Sequence, residues 1–206
     1  MSIEQQPSLP PVLRPANPPR RQLSELASRF ARDTRGELQG VAVSGITLAT
    51  ADLRAGEAFV AIRGVNRHGA EFSAAAAEKG AVAIITDDDG AAIAESVGLP
   101  ILIVDDPRAV LGDLSAWVYG TGADDPLPLL FATTGTNGKT SVSHLLAGIL
   151  DQIDVVTGLS STAERHIAGE VIVSRLTTPE ASEFHALLAL MRERDVEAVA
   201  VEVSAQ

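Results

Sequence analysis

Short uninterrupted apolar runs alternate along this chain with segments whose apolar residues recur every three to four positions. The runs at 81–86 and 101–104 are typical of buried strands, and the spacing at 108–119 is typical of a helix. The preceding Asp105-Asp106-Pro107 favours a helix start, since an aspartate can cap the first turn and an early proline fits there. This alternation predicts the α/β class with mainly parallel sheets.

The same pattern predicts the remaining elements. We expect helices at 23–30, 69–79, 91–97, 108–119, 141–150 and 180–194. We expect strands at 41–48, 57–64, 81–86, 101–104, 129–132, 155–156, 171–173 and 198–203, the strand at 129–132 being buried. The acidic stretch 87–90 is interpreted as a solvated turn, and a further turn is expected near 168–170.

Four segments follow from these elements. Residues 1–22 carry six prolines and predict a disordered tail, while 23–120 predict a small α/β domain. Residues 121–128, which hold one glycine and two prolines, are interpreted as a linker. Residues 129–206 predict the first part of a parallel-sheet domain. Such a domain needs more strands to bury both faces, so we expect the chain to be a fragment.

Composition narrows the function classes. The chain is 46% hydrophobic but only 3% aromatic, so its core is built from aliphatic side chains, as suits α/β layers. A formal net charge of -11 argues against a nucleic-acid partner, and the absence of cysteine excludes disulfides and thiolate chemistry. No run reaches the length of a membrane span, and the N-terminus lacks a signal-peptide core. We expect a cytoplasmic monomer without membrane insertion.

The strongest chemical signal is Thr-Thr-Gly-Thr-Asn-Gly-Lys-Thr at 133–140, placed between the strand at 129–132 and the helix at 141–150. Glycines let backbone amides approach phosphate oxygens, and the helix N-terminus adds partial positive charge. Lys139 can reach the β- and γ-phosphates, and the Thr140 hydroxyl can ligate Mg²⁺. The general phosphate loop has glycine where this chain has Thr133, so a strand-to-helix turn with an incidental lysine is the alternative.

A family resemblance extends this signal. Residues 131–140 resemble the ATP loop of the Mur ligase family, in which the leading glycine is absent. Leu176-Thr177-Thr178-Pro179 and Glu202-Val203-Ser204 resemble motifs of the branch that adds a diamino acid, and residues 56–64 resemble its first domain. The resemblance covers about 23–206 and implies a uridine-nucleotide domain followed by the first part of an ATPase domain.

The resemblance implies a reaction and its participants. It implies an ATP-dependent ligase that adds meso-diaminopimelate or L-lysine to UDP-N-acetylmuramoyl-L-alanyl-D-glutamate through an acyl phosphate. This step belongs to peptidoglycan biosynthesis, and therefore to cell-wall formation, cell shape and division. ATP and Mg²⁺ are the implied cofactors. The residues alone do not choose between the two diamino acids.

The resemblance also implies site residues. The implied catalytic residues are Lys139 and Glu202, and the implied metal ligands are Thr140 and Glu202. The implied ATP-binding residues are Gly135, Thr136, Asn137, Gly138, Lys139, Thr140 and Ser141. The implied substrate-binding residues are Leu48, Thr50, Val65, Asn66, Arg67, Thr177, Thr178 and Ser204. Simpler alternatives stay open, because residues 177–179 could only cap the next helix and Glu202 could be a solvated strand-end acid.

Two departures support rival hypotheses. Where the family often has Asp-Ser-Arg, this chain has residues 49–51 (Ala-Thr-Ala) or, with a gap, 52–54 (Asp-Leu-Arg), and Ala205-Gln206 replace Ser-His. They favour a degenerate, non-catalytic nucleotide-binding protein. Another Mur ligase or a folylpolyglutamate synthase is the second rival. The four histidines, His68, His144, His166 and His185, show no metal-ligand spacing and are interpreted as structural or surface residues.

Overall fold

The computed structural model describes residues 12–173 and 179–204. Its strands are β1 (Arg21–Gln22), β2 (Asp33–Arg35), β3 (Ala42–Val43), β4 (Gly45–Thr47), β5 (Glu57–Val60), β6 (Ala83–Thr86), β7 (Ile101–Ile103), β8 (Leu129–Thr133), β9 (Thr157–Ser160), β10 (Glu164–Ile167), β11 (Glu170–Val173) and β12 (Ala198–Glu202). Its α-helices are α1 (Leu23–Phe30), α2 (Ser73–Glu78), α3 (Asp88–Ala94), α4 (Pro107–Tyr119), α5 (Lys139–Gln152) and α6 (Ala181–Glu193). Single 3-10 turns lie at Thr50–Asp52, Gly69–Phe72 and Glu95–Val97.

The first sheet has the order β2-β7-β6-β5-β4. Strands β4 to β7 are parallel, and β2 adds an antiparallel edge. Strands β5, β6 and β7 are buried at every position, because helices and loops cover both faces of the sheet. A short antiparallel pair, β1 with β3, lies beside it. The α/β class predicted from the alternating pattern is confirmed.

The second sheet has the order β11-β10-β9-β12-β8. Strands β8, β12 and β9 are parallel, whereas β9, β10 and β11 form an antiparallel meander. The prediction that 129–132 is a buried strand is wrong in its burial, since Leu129 is 62% and Leu130 40% exposed. Within the described residues, strand β8 lies at the edge of the sheet. The prediction failed because an apolar run does not indicate which element, if any, packs over it.

Helix α6 joins the two sheets. Its Ala186 and Ala189 are buried in one core cluster with Leu114 and Val118 of α4. Its opposite face packs Leu187, Leu190 and Met191 against the second sheet. The small alanine side chains let α4 and α6 approach closely. Both faces of α6 are therefore buried, which ties the first α/β unit to the second.

The described segment before β1, residues 12–20, is held against the rest of the chain. Val12 is 4% exposed, and Arg14 Nε lies 2.7 Å from Glu57 Oε1. The amides of Ala16 and Asn17 donate to the Glu193 carboxylate at 2.7 and 2.8 Å. The prediction of a disordered tail through residue 22 is therefore wrong for 12–22. Prolines did exclude helix here, but side-chain partners far along the chain hold the segment in place.

Several element boundaries also differ. The expected turn at 87–90 is instead the start of α3, because the Asp87 carboxylate accepts from the Gly90 amide at 2.8 Å. The expected strand at 41–48 divides into β3 and β4, and the strand expected at 155–156 begins at Thr157. Strand β10 was not predicted, whereas the turn near Ala168 is confirmed. Among the described residues no helix is both long and apolar enough to cross a membrane.

Candidate functional site

The phosphate-loop candidate connects β8 to α5. Gly138 is the residue before α5 and has φ +79°, and Gly135 has φ +138°. No atom would lie within 4 Å of a Cβ on Gly138, so its backbone conformation, not crowding, requires glycine. The loop therefore adopts a left-handed turn that places the N-terminus of α5 next to the end of β8. Unpaired amides at such a terminus favour anions.

Lys139 is folded over this loop. Its Nζ donates to the Gly135 carbonyl at 2.8 Å, which holds the ammonium group beside the turn. Thr136 and Asn137 between them are exposed, as is Ser141 in the first turn of α5. Each of the predicted ATP-binding residues 135–141 is therefore exposed or half-buried, and Lys139 places a positive charge beside the loop.

Thr140 and Glu202 meet beneath the loop. The Thr140 hydroxyl lies 3.2 and 3.1 Å from the two carboxylate oxygens of Glu202. Strand β12 pairs in parallel with β8, and Glu202 is in register with Thr133. The carboxyl ends of parallel neighbours share one edge of a sheet, which is where α/β proteins bind ligands. The strand order therefore brings together the two residues predicted to hold a metal.

Glu202 is a charged residue in a buried place. Its exposure is 2%, and it also accepts a hydrogen bond from the Thr162 amide at 2.9 Å. Burial raises the pKa of the Glu202 carboxyl, but hydrogen bonds from Thr162 and Thr140 and the charge of Lys139 outweigh burial and lower it. The side chain is therefore a carboxylate at neutral pH. The alternative of a solvated strand-end acid is wrong.

The predicted uridine residues lie in segments that follow strands of the first sheet. Leu48 and Thr50 follow β4, and residues 65–67 follow the adjacent parallel strand β5, so both segments leave the same edge of the sheet. Val65 is fully exposed, and Arg67 pairs with Glu71 at 3.1 Å while lying over the Phe72 ring. Ser204 is exposed just beyond β12. Thr177 and Thr178 lie outside the described residues.

Beside the uridine candidates, His68 has a structural role. It is 4% exposed, and its Nδ1 accepts from the Ala70 amide at 3.0 Å. The other ring nitrogen must then donate to Asp87, 3.0 Å away. Burial raises the pKa of Asp87, but bonds from Gly90 and His68 outweigh it and lower the pKa. The interpretation of His68 as structural is confirmed.

The two histidines His144 and His166, which show no metal-ligand spacing in the sequence, are half-buried and lie close together in the structure. Each offers a ring nitrogen that lies within 4.8 Å of the other and of a Glu164 carboxylate oxygen. Glu164 and His166 are two apart on β10, so they share one face of the strand, and this spacing was the available signal. The partner His144 comes from α5 and could not be placed without the fold.

Two family models match the chain. One is described as the Mur ligase family, catalytic domain, and matches residues 42–119. The other is the Mur ligase middle domain and matches residues 133–206. Together they cover β3 to β7 and β9 to β12, including the segments after β4 and β5 and the phosphate-loop candidate.

Curated relatives share this family. The UDP-N-acetylmuramyl-tripeptide synthetase of Leifsonia xyli is 53% identical over 96% of this chain and 38% of its own length. The UDP-N-acetylmuramoyl-L-alanyl-D-glutamate--2,6-diaminopimelate ligase of Streptomyces avermitilis is 44% identical over 93% of this chain and 37% of its own length. The chain thus spans less than two fifths of the length of these relatives.

Solved structures share the fold. A UDP-N-acetylmuramoyl-L-alanyl-D-glutamate--2,6-diaminopimelate ligase superposes with a TM-score of 0.68 at 21% identity, over 90% of this chain and 36% of that protein. MurF from Acinetobacter baumannii gives a TM-score of 0.60 at 18% identity, over 92% of this chain and 37% of that protein. At these identities the likeness concerns the arrangement of sheets and helices.

Proposed function

The chain belongs to the Mur ligase family, and we propose that the protein is an ATP-dependent ligase. In this proposal it adds meso-diaminopimelate to UDP-N-acetylmuramoyl-L-alanyl-D-glutamate in the cytoplasm, during peptidoglycan biosynthesis. The observation that carries the proposal is the joint placement of Lys139, Thr140 and Glu202 at the junction of β8, α5 and β12. Since the chain spans less than two fifths of its relatives, activity and substrates are proposed for the whole protein.

Lys139 and the loop bind the phosphates of ATP. The ammonium group exchanges the Gly135 carbonyl for a phosphate oxygen, because a full negative charge is the stronger acceptor. The amides at the start of α5 hold the remaining oxygens. In this position Lys139 offsets negative charge on the phosphoryl group during transfer, which lowers the barrier without any covalent role for the protein.

Thr140 and Glu202 are suited to Mg²⁺. This ion prefers hard oxygen ligands, and a hydroxyl beside an ionised carboxylate supplies two of them. When bound there, Mg²⁺ would neutralise charge on the phosphates of ATP. The chain's own part is to keep Glu202 ionised in a buried position and to orient it through the Thr162 amide.

The ligation proceeds in two stages. The D-glutamate side-chain carboxylate attacks the γ-phosphorus of ATP and becomes an acyl phosphate, with ADP leaving. The amine of the diamino acid then attacks the acyl carbon, phosphate leaves, and an amide forms. Phosphorylation is needed because a carboxylate is a poor electrophile. Leu48, Thr50 and residues 65–67 bind the uridine diphosphate, and Thr177, Thr178 and Ser204 bind the muramoyl peptide.

We propose diaminopimelate rather than lysine because of the names of the relatives. Several relatives at 33–46% identity carry 2,6-diaminopimelate in their names. The tripeptide synthetase of Leifsonia xyli names no amino acid. Lysine is therefore tested beside diaminopimelate in the experiment below.

The test uses the complete gene product with ATP, Mg²⁺ and UDP-N-acetylmuramoyl-L-alanyl-D-glutamate. Phosphate release is measured with diaminopimelate, with lysine and with neither, for the wild type and for Lys139→Ala. We expect release that requires diaminopimelate and is lost in the variant. Release with lysine but not with diaminopimelate would show that lysine is the amino acid added. ATP binding without release under any condition would overturn the ligase and favour a degenerate nucleotide-binding protein.

A further inference from the structure

His144, Glu164 and His166 form a cluster on the side of α5 that faces β10. Glu164 Oε1 lies 2.8 Å from Nε2 of His166 and 3.7 Å from Nδ1 of His144. All three side chains are about one-third exposed, and the two imidazole rings meet edge to face. One carboxylate oxygen therefore lies between two ring nitrogens that come from a helix and a strand.

Ser161 defines the orientation of His144. The Ser161 hydroxyl donates to the Glu164 carbonyl at 2.9 Å, so its proton is already used. It lies 3.2 Å from Nε2 of His144, and that nitrogen must then be the donor. In the neutral ring Nδ1 consequently carries a lone pair directed towards Glu164. A metal-binding histidine usually donates its other ring N–H to an oxygen acceptor, and the Ser161 hydroxyl oxygen is that acceptor for Nε2 of His144.

The distances suit a small metal ion. Ligand atoms around a tetrahedral zinc ion lie about 3.4 Å apart for bond lengths of about 2.1 Å. The 2.8 Å contact between Glu164 and His166 is a hydrogen bond whose proton the metal would displace, and the 3.7 Å separation lies just above that value. Small side-chain rotations would bring both separations to it. Both histidines also line a cavity of about 300 Å³, which gives access to solvent and room for a water as fourth ligand.

We infer that His144, Glu164 and His166 bind a divalent transition-metal ion, with zinc as the best match. Two imidazoles and one carboxylate suit zinc and disfavour Mg²⁺, which prefers oxygen ligands. The ion would join α5 to β10 and hold the turn between β9 and β10. That turn presents the Thr162 amide to Glu202, so the metal would help to hold the Glu202 carboxylate in place. The inference does not depend on the proposed ligase activity.

The test is zinc titration of the tag-free protein by calorimetry, with excess Mg²⁺ present to occupy the carboxylate and hydroxyl site. We expect one zinc ion per chain. His144→Gln, Glu164→Gln and His166→Gln should each weaken zinc binding by roughly 100-fold or more, since each removes a direct ligand. His185→Gln is the matched control, because His185 bonds Thr121 at 2.8 Å and lies outside the cluster.

Two measurements guard against misfolded variants. Cobalt(II) added to the wild type should give the visible absorption of a four-coordinate ion, and zinc should abolish it. Zinc at 100 times its dissociation constant should also raise the melting temperature by about 5–10 °C, in the wild type and in His185→Gln alike. Absence of saturable zinc binding by the wild type would overturn the inference, as would equal affinity in folded His166→Gln.

Discussion

Thr140 and Glu202 are 62 positions apart in sequence, yet the hydroxyl of one lies 3.1 Å from the carboxylate of the other. The contact exists because β12 is inserted beside β8, so that both strands end at the same edge. It places a hydroxyl and a buried negative charge directly below the turn that carries Lys139.

Replacing Thr140 by alanine removes the hydroxyl from this pair. We expect Mg²⁺-dependent ATP binding to weaken by roughly 10-fold to 100-fold, because a first-turn hydroxyl of a phosphate loop ligates the metal. The free energy of unfolding should fall by only about 1 kcal/mol, the usual contribution of one hydrogen bond. Calorimetric titration and urea denaturation measure the two effects. Thr34→Ala, on exposed β2, is the control, and equal ATP affinity in both variants would contradict the role of Thr140.

Glu202→Gln tests the pH dependence of stability. The pKa of Glu202 is lowered in the folded protein, so its contribution is complete above the unfolded pKa of about 4.3 and is lost as pH falls through the lower folded value. We expect the variant to be less stable at pH 7 by about 1–2 kcal/mol. The difference from the wild type should shrink as the pH falls below about 4.

Urea denaturation of both proteins at several pH values between 7 and 3 measures this difference. Glu78→Gln on the exposed side of α2 serves as the control for removal of a single carboxylate. A difference between the wild type and Glu202→Gln that grows towards low pH would show that the pKa of Glu202 is raised instead.

Gly138 lies in the phosphate-loop candidate, and Gly98, which lies outside it, is a matched control position. Their φ angles are +79° and +78°, and at neither residue would an added Cβ have an atom within 4 Å, so alanine adds the same backbone strain at both. We expect each alanine variant to lose about 1–2 kcal/mol of stability. Only Gly138→Ala should also weaken ATP binding, by roughly 10-fold or more, because the turn at Gly138 carries the phosphate-binding amides. Parallel losses of binding in both variants would mean that the effect comes from general destabilisation.

The Arg14 and Glu57 pair tests the ordered N-terminal segment. Their side chains are 5% and 4% exposed, and Glu57 also accepts from the Arg54 amide at 3.0 Å. Arg14→Met should lower the free energy of unfolding by about 3–5 kcal/mol, because it leaves a buried carboxylate without its partner. The double variant Arg14→Met with Glu57→Met should lose much less than the sum of the single variants.

A thermodynamic cycle from urea denaturation of the four proteins measures the coupling between Arg14 and Glu57. Arg29→Met is the control for loss of a positive charge. The Arg29 guanidinium lies over the Trp117 ring, 5.7 Å from its centre. Additive effects in the cycle would show that residues 12–22 do not depend on this ion pair.

Local signals in the sequence determined much of the fold. Asp106 and Pro107 start α4 as their types require, and the apolar run at 101–104 forms the buried strand β7. The glycines at 135 and 138 form the turn that their spacing before Lys139 predicts. These features depend on backbone preferences and on residues a few positions apart, so they can be inferred without knowing how the chain folds back on itself.

The tertiary structure decided which distant residues meet. It placed Glu202 under Thr140, paired Arg14 with Glu57 across 43 positions, and joined His144 to a strand that the pattern did not predict. Among the residues that the structure describes, it also left β8 at an exposed edge of its sheet. Strand order and helix packing set these relationships, and both depend on the total burial of the chain. The spacing of apolar residues indicates which face of an element is buried, but not which other element packs against that face.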